Sequence, residues 1–312
     1  MIIISGENVA DLLPTESGLI HTALGGGPAN TAVAAARLGA DVSFAARFGN
    51  DAFATAFRNR LTEAGVDLSH AVKLAAPSAL ALTRLDADGS ASYDFWLHGA
   101  ADFAATDLPH AGPHDIRHVG SLAAYWQPGA DVAERWIEGG SGLVTLDVNL
   151  RPIVLDHQPD AVSRLERLVQ RAHVVKASDE DLRMAHPDAA PEETARRWLD
   201  AGPTLIVITL GAEGALGLTR DGGRMHVPAP RVEVVDTIGA GDAAMGALLT
   251  RLAAVGLEAV CDDLDETLRF ATAVAALACT RPGAYAPSAD EADDYLAARP
   301  CLRSSVGSGR GV

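Results

Sequence analysis

The stretch that decides the fold is Asp236-Thr237-Ile238-Gly239-Ala240-Gly241-Asp242. The residues before it, 231–235, are β-rich and partly alternating, which predicts a strand, and the apolar run that begins at Ala243 predicts a helix. The two glycines therefore lie at a predicted strand-to-helix turn, where the free N–H groups of the first helical turn and the helix dipole favour an anion such as phosphate.

Asp242 is the unexpected residue of this turn, because a carboxylate repels a bound phosphate. Its presence makes sense if it takes a proton from a hydroxyl group that attacks the phosphate. The alternative is that Asp242 is an N-cap residue that follows a glycine-rich turn.

Two separate blocks of the chain resemble the two signatures of the ribokinase/PfkB family of carbohydrate kinases. Asp236–Asp242 is similar to the C-terminal signature, and Gly25–Asn30 (Gly-Gly-Gly-Pro-Ala-Asn), followed by the alanine-rich segment 34–40, is similar to the N-terminal one. The similarity runs from Ile2 to about Ser288. It implies a ribokinase-like α/β fold, in which helices flank a central, mostly parallel sheet and a small β-sheet forms a lid.

The resemblance also implies an activity, the transfer of the γ-phosphoryl group of ATP to a hydroxyl of a small sugar, and a role for each matching residue. Asp242 would be the catalytic base, and the backbone N–H groups of Gly239, Ala240 and Gly241 would hold the charge of the transferred group. The residues expected to bind the sugar are Asp11, Gly26, Gly27, Asn30 and Arg151. Those expected to bind the nucleotide are Lys176, Ser178, Thr209, Gly211, Gly214 and Thr272.

Two cation sites follow from the same resemblance. Asp181 stands where many members carry a glutamate that organises magnesium-bound water, so it is expected to hold Mg²⁺ through water. The alternative is a charged helix N-terminus that the helix dipole favours. Potassium is the candidate monovalent cation, and the residues expected to enclose it are Asp236, Ile238, Ala278, Arg281, Gly283 and Ser288.

The segment after the predicted strand Leu143–Asp147 is a further site candidate. Asp147, Asn149 and Arg151 alternate along an extended tip, so their side chains are expected on one side. Asp-Val-Asn-Leu-Arg-Pro is similar to a segment of fructokinases and 2-keto-3-deoxygluconate kinases. Arg151 could bind a phosphoryl or carboxylate oxygen, or it could cap the loop.

The lid is expected at about residues 12–24 and 76–104. Residues 78–96 alternate around the turn Asp86–Gly89, which predicts a hairpin. Phe95, Trp96 and His98 could contact the substrate, pack within the sheet or form a dimer contact. Residues 1–300 are predicted to form a single kinase domain, and residues 301–312 a flexible C-terminal tail.

Composition narrows the classes of partner. The 312 residues carry a formal net charge of −16, which disfavours nucleic acids and anionic membranes. Neither lysine, Lys73 or Lys176, follows a glycine, which excludes the P-loop pattern. The three cysteines are widely spaced and form neither a disulfide framework nor a zinc pattern.

The sequence shows no targeting segment, no membrane-spanning run and no helix that would align histidines for a metal. The chain begins with the strand Ile2–Ile4, without a basic targeting segment, and no apolar run approaches the roughly 18 residues that span a bilayer, so we expect a cytoplasmic protein. His110, His114 and His118 recur every four residues, but Gly112-Pro113 breaks any helix that would align them for a metal.

The leading functional hypothesis is a fructokinase-like enzyme that acts on fructose or a related ketose. The alternatives are a 2-keto-3-deoxygluconate kinase, a nucleoside kinase whose lid aromatics stack on the base, and a catalytically inactive sugar-binding regulator. The intact Asp242 turn counts against the last of these. Expected ligands are the sugar and ATP with Mg²⁺, and a homodimer is expected to form through the lid.

Overall fold

The computed structural model describes residues 1–15, 17–85 and 91–299. The strands in these ranges are β1 (Ile2–Ile4), β2 (Val9–Pro14), β3 (Ile20–Gly25), β4 (Val42–Phe44), β5 (Arg47–Phe48), β6 (Val72–Lys73), β7 (Ala79–Leu85), β8 (Ala91–Trp96), β9 (Ile116–Gly120), β10 (Leu143–Asp147), β11 (Val174–Ser178), β12 (Leu205–Thr209), β13 (Ala215–Thr219) and β14 (Arg224–Val227). The α-helices are α1 (Gly27–Arg37), α2 (Ala52–Glu63), α3 (Gly129–Gly139), α4 (Pro152–His157), α5 (Ala161–Arg171), α6 (Asp179–Ala185), α7 (Pro191–Ala201), α8 (Ala240–Asp262), α9 (Leu264–Ala278) and α10 (Ala289–Ala297).

An eight-stranded central sheet has the order β14-β13-β12-β11-β10-β9-β1-β4. The strands from β4 to β12 in that order pair in parallel, and β13 and β14 extend the edge as an antiparallel hairpin. Helices cover both faces of the sheet, as a parallel sheet with buried, nearly continuous apolar strands requires. The predicted fold class is therefore confirmed.

A second, four-stranded sheet has the order β3-β2-β7-β8 and comes from the two segments expected to form the lid. It begins at Val9, earlier than the predicted boundary. Asp11 therefore lies within strand β2 of the small sheet. The turn Asp86–Gly89 and the tail 301–312 lie outside the described residues.

The strand predicted at 231–235 is wrong, because the structure has no regular element there. The N–H groups of Val235 and Asp236 instead donate to one carbonyl, that of Cys279 just after α9, at 2.8 and 3.2 Å. The side chains of Val234 and Val235 are 59% and 56% exposed, so the alternation of residue types buries no face. The start of the signature is therefore held by the C-terminal end of α9 and not by a sheet.

Helix α8 is long and apolar enough to cross a membrane by length and composition alone, which corrects the expectation that no such run exists. In the fold it packs between α1 and α9. An added Cβ on Gly246 would lie 2.6 Å from the Ala34 side chain of α1. The apolar composition of the first half of α8 thus has a structural reason, since residues 243–249 are buried in the fold.

Two buried carboxylates hold the base of the small sheet. Asp102 accepts hydrogen bonds from the backbone N–H of Asn8 at 2.8 Å and from that of Ala79 at 3.0 Å, just before β2 and at the start of β7. Glu7 accepts one from the N–H of Ala123 at 2.9 Å. Burial raises the pKa of Glu7 to about 7 and that of Asp102 to about 6.

We predict that Glu7 makes the free energy of unfolding fall as pH rises between its unfolded and folded pKa values, 4.5 and about 7. In that range the folded chain keeps a proton that the unfolded chain has released, so rising pH favours unfolding. Glu7→Gln removes this term. The stability of the variant relative to the parent, measured by urea unfolding at several pH values, should therefore improve as pH rises.

Glu180→Gln is the matched control, because it makes the same chemical change at an exposed position. The difference in stability between Glu180→Gln and the parent should not change with pH in this way. A Glu7→Gln variant whose stability stays parallel to that of the parent from pH 4.5 to 7 would contradict the prediction.

Candidate active site

The two signature blocks meet where α1 packs against α8. The amide nitrogen Nδ2 of Asn30 in α1 donates to Oδ2 of Asp242 in α8 at 2.8 Å. The N-cap of α8 is Gly239, whose φ of 77° lies in the left-handed region, and no side chain caps this helix. The alternative that Asp242 is an N-cap residue is therefore wrong, and its carboxylate is available for chemistry.

Asp242 has the electrostatic surroundings of a general base. Its side chain is partly exposed, yet burial of the carboxylate raises its pKa, while the Asn30 hydrogen bond and the charges of Lys176, Arg151 and Arg60 oppose that rise. A base works best when its pKa approaches the working pH and its charge stays available.

The glycine run between β3 and α1 separates Asp242 from a second carboxylate, that of Asp11. An added Cβ on Gly25 would lie 2.2 Å from Oδ2 of Asp11, and one on Gly27 would lie 3.3 Å from Oδ1 of Asp242. Side chains at these two positions would fill the space next to both carboxylates. Gly26, between them, is the N-cap of α1, and this helix begins at Gly27.

The glycine-rich turn 237–241, here termed the anion-binding turn, has fewer unpaired N–H groups than predicted. The N–H of Ala240 donates to the carbonyl of Thr237 at 3.2 Å, so this group has a partner within the turn, and its role at a phosphate stays a prediction. The N–H groups of Gly239 and Gly241 remain as donors for a phosphate. A Cβ on Gly241 would lie 3.3 Å from Nζ of Lys176, which places a buried ammonium group beside the turn.

Lys176 forms a buried ion pair with Asp147 across β11 and β10. Its Nζ lies 3.0 Å from Oδ1 and 2.9 Å from Oδ2 of Asp147. Burial would lower the pKa of Lys176, but the carboxylates of Asp147, Asp181 and Asp242 outweigh burial and raise it. Lys176 is thus a fixed positive charge next to the turn, and its expected contact with the nucleotide stays a prediction.

Ser178 and Asp181 form a capping box at the start of α6. Oδ2 of Asp181 accepts from the N–H of Ser178 at 2.7 Å, and its Oδ1 accepts from the N–H of Leu150 at 2.8 Å. Because both oxygens accept backbone hydrogen bonds, the observed role of Asp181 is to cap the helix, as the alternative had it. Within the described ranges, no three metal-binding side chains cluster.

The other residues expected at the nucleotide lie on separate elements. Thr209 ends β12, Gly211 begins a 3₁₀ turn that Gly214 follows, and this turn joins β12 and β13 as an antiparallel hairpin. Thr272 is buried in α9, and its hydroxyl donates to the carbonyl of Arg269 at 3.1 Å. Their contact with a nucleotide stays a prediction.

The two segments expected to enclose a monovalent cation lie side by side. The Asp236 carboxylate accepts from the N–H of Ile238 at 3.0 Å and from that of Gly283 at 2.7 Å. Ser288 is the N-cap of α10, and its hydroxyl accepts from the N–H of Glu291 at 3.3 Å. The remaining two residues are Ala278, at the end of α9, and Arg281, which donates to Glu291.

Arg151 is exposed at the start of α4, and it donates to the carbonyl of Leu150 at 2.9 Å. The charge of Arg151 acts to lower the pKa of Asp242. The Asp147 side chain, predicted on the same side of the tip as Arg151, is buried and paired with Lys176. Asn149 between them has a φ of 38°.

The lid aromatics point in different directions. Strand register places Phe95 beside Ala81 and Asp11 on one face, and Trp96 beside Leu80 on the other face. Phe95 packs against the core, and the ring of His98 lies 5.2 Å from that of Trp126. Trp96, 53% exposed, is therefore not on the Asp11 side, which removes one of the two aromatics that the nucleoside kinase hypothesis requires.

Sequence reasoning missed Ser121 and Arg60. Ser121 and Asn149 are the non-glycine residues with positive φ in the described part of the chain, and both lie against Gly27. Such strained residues concentrate at functional sites. Arg60 donates to Oδ1 of Asn30 at 2.9 Å. Neither residue lies in a signature, so only the folded arrangement reveals them.

Comparison with known proteins shows the family of this chain. The family model for pfkB family carbohydrate kinases matches residues 9–291. A fructokinase from Rhizobium leguminosarum bv. trifolii is 34% identical over 261 residues, which cover 81% of this chain and 79% of the relative. An aminoimidazole riboside kinase from Salmonella typhimurium is 33% identical, with 93% of each chain covered.

Solved structures share the fold. A fructokinase from Xylella fastidiosa with bound ATP has a TM-score of 0.88 and 31% identity, with 96% of this chain and 98% of that chain covered. A fructokinase from Vibrio cholerae O395, in a form with bound fructose, ADP and calcium ion, has a TM-score of 0.84 and 31% identity, with 95% and 98% covered.

We predict that Asp242→Asn lowers turnover with ATP and sugar by about 10²–10⁴-fold, the usual contribution of a general base. The amide keeps the shape of the side chain but cannot accept the proton, so binding of ATP, measured by calorimetry, should survive. Asp262→Asn, at the exposed far end of the same helix, is the control and should keep full turnover. Near-normal turnover of Asp242→Asn would remove its assigned role.

Proposed function

The chain belongs to the pfkB family of carbohydrate kinases and is an ATP-dependent sugar kinase, and we propose that its acceptor is fructose or a closely related ketose. The observation that carries the choice of a ketose is the similarity to fructokinases, one of which has bound fructose in a solved structure. The pair of carboxylates beside the glycine run 25–27, Asp11 and Asp242, supports a neutral sugar. Two carboxylates suit the hydroxyl groups of a neutral sugar, and they repel an anionic one.

In the proposed reaction, Asp11 and the residues around Gly26 and Gly27 hold the sugar hydroxyls. One hydroxyl faces Asp242, which takes its proton as the oxygen attacks the γ-phosphorus of ATP. The N–H groups of Gly239 and Gly241, with the nearby Lys176 ammonium, stabilise the negative charge on the transferred group. The bond from the γ-phosphorus to the β-phosphate oxygen breaks, and ADP leaves with the electron pair.

Magnesium is the proposed divalent cation, and when bound to ATP it neutralises part of the phosphate charge. The residues present fit a metal held mainly by phosphates and water. Asp181 uses both oxygens for backbone N–H groups, and the described side chains offer no cluster of three ligands. Potassium is likewise proposed as a monovalent cation bound between the 236–238 and 278–288 segments.

A sugar acid is a poorer acceptor on electrostatic grounds. Lys176 is paired with Asp147, and Arg60 donates to three protein oxygens, so Arg151 is the remaining cation among those that act on Asp242. One exposed arginine is weak compensation for a desolvated carboxylate. Aminoimidazole riboside is the second candidate, because a kinase for that compound is 33% identical over 305 residues.

A homodimer through the small sheet and a cytoplasmic location complete the proposal. Ile20 and Trp96 lie on the face of this sheet opposite Asp11 and are 56% and 53% exposed. Such an exposed apolar face favours a protein contact, and the face with Asp11 would then close over the sugar. The net charge of −16 supports a small-molecule ligand rather than nucleic acid or an anionic membrane.

A substrate panel tests the proposal directly. With ATP and Mg²⁺, kcat/KM should be highest for fructose, lower for aminoimidazole riboside and lowest for 2-keto-3-deoxygluconate. Arg151→Gln should change the value for fructose by less than about fivefold, as expected for an exposed charge. A parent enzyme that prefers the sugar acid, together with loss of that preference in Arg151→Gln, would overturn the ketose assignment.

We predict a selective effect of Asp11→Ala on sugar binding. Loss of a charged hydrogen-bond acceptor, at about 1.5–3 kcal/mol, should raise the KM for the sugar about 10–100-fold and leave that for ATP nearly unchanged. Burial raises the pKa of Asp11 to about 6. The parent enzyme should therefore bind the sugar more weakly below pH 6, and Asp11→Asn should lose this pH dependence. Equal increases in both KM values would contradict the assignment.

A further inference from the structure

Arg60, on α2 and outside both signature blocks, joins three separate parts of the site. One terminal nitrogen donates to the carbonyl of Leu24 at 2.7 Å. The other donates to Oδ1 of Asn30 at 2.9 Å and to the carbonyl of Ala284 at 3.2 Å. These acceptors lie 36, 30 and 224 residues away in sequence, so Arg60 ties together segments that only the fold brings close.

The contact with Asn30 decides which way the amide faces. A guanidinium group only donates, so it requires the oxygen of the Asn30 amide on its side. The amide nitrogen must then face Asp242, to which it donates at 2.8 Å. Without Arg60, the Asp242 carboxylate alone would fix the orientation of this amide.

The other two contacts reach the walls of the same site. Leu24 directly precedes the glycine run 25–27, which separates Asp11 from Asp242. Ala284 packs on the anion-binding turn, because an added Cβ on Gly239 would lie 2.8 Å from the Ala284 side chain. Arg60 therefore contacts one residue next to the glycine run, one residue that donates to the proposed base, and one residue that packs on the anion-binding turn.

We infer that Arg60 is a positioning residue for phosphoryl transfer, which orients the Asp242 carboxylate through Asn30 and holds the glycine run and the anion-binding turn beside it. This role rests on the proposed function of Asp242 as the base. It also revises the expected role of Asn30. Both ends of that buried amide bind protein groups, so Asn30 acts on the base, and a sugar could reach only its second N–H.

The charge of Arg60 acts in the same direction as its hydrogen bonds. Burial lowers the pKa of Arg60, but a guanidinium stays protonated at neutral pH. Lys176 on β11, Arg151 before α4 and Arg60 on α2 oppose the rise in the Asp242 pKa. The carboxylates of Asp147 on β10 and Asp181 on α6 interact with Lys176. Loss of Arg60 therefore raises the pKa of Asp242 further.

The test compares Arg60→Gln with Arg58→Gln, which removes the same charge from an exposed position on the same helix. With the sugar that the parent phosphorylates best, Arg60→Gln should lower kcat about 10²-fold, the size expected when a catalytic group is misplaced by about 1 Å. The acid limb of its pH–kcat profile should move to higher pH. Arg58→Gln should match the parent in both measurements, and Arg60→Lys should recover part of the loss.

A double-mutant cycle shows whether Arg60 acts through Asn30. In the Asn30→Ala background, Arg60→Gln should lower kcat by a smaller factor than it does in the parent, because residues in one hydrogen-bond network do not act additively. Guanidinium ion gives a second measurement. Arg60 lines a cleft of about 230 Å³ together with Val33, Arg37, Glu63 and Tyr285, so added guanidinium should restore part of the activity of Arg60→Ala.

Turnover of Arg60→Gln equal to that of the parent would overturn the inference. So would a lower kcat with an unmoved acid limb and no rescue of Arg60→Ala by guanidinium, since that pattern marks loss of stability only. If Arg60→Gln does not fold, the same comparison is made with Arg60→Lys, whose unchanged kcat would also refute the role. A parent that phosphorylates no sugar would instead contradict the proposed function.

Discussion

The hydrogen bond from Asn30 to Asp242 is the contact on which the rest of the site depends. It crosses 212 residues of sequence and joins the first helix of the chain to the helix that carries the anion-binding turn. A carboxylate beside a phosphate site is electrostatically unfavourable, so it must be held by donors and balanced by charge. Asn30 supplies the donor, and Lys176, Arg151 and Arg60 supply the charge.

The backbone around Asp242 is shaped to leave room. Gly25 and Gly27 pass beside Asp11 and Asp242, where a Cβ at either position would meet a carboxylate oxygen. Ser121 and Asn149, both with positive φ, close the same space from the ends of β9 and β10. The central sheet therefore places polar groups at the carboxyl ends of its strands, as open α/β sheets do, and the small sheet places Asp11 next to them.

Local pattern predicted the elements that depend on local sequence. The strands Ile2–Ile4 and Leu143–Asp147 and the helix after Gly239 were predictable, because apolar period and turn chemistry specify them. The parallel sheet that contains these strands followed from the family resemblance. The strand predicted at 231–235 was wrong, since its hydrogen-bond partner is the distant Cys279 carbonyl rather than a neighbouring strand. The position of Asp11 within β2 likewise depends on partner strands that are distant in sequence. Arg60 is the clearest case, because an arginine on an amphipathic helix gives no sign that its three acceptors lie in other segments. The Ser178–Asp181 capping box and the hydrogen bond from Ala240 to Thr237 are instead local contacts between residues three positions apart.

The most direct measurement is a crystal structure of the chain with fructose and a non-hydrolysable ATP analogue. The account predicts a fructose hydroxyl within hydrogen-bond distance of Asp242, in line with a γ-phosphate bound by the N–H groups of Gly239 and Gly241. It also predicts that Asn30 still bridges Arg60 and Asp242 in that complex. A γ-phosphate bound elsewhere, or a fructose whose hydroxyls all lie away from Asp242, would contradict it.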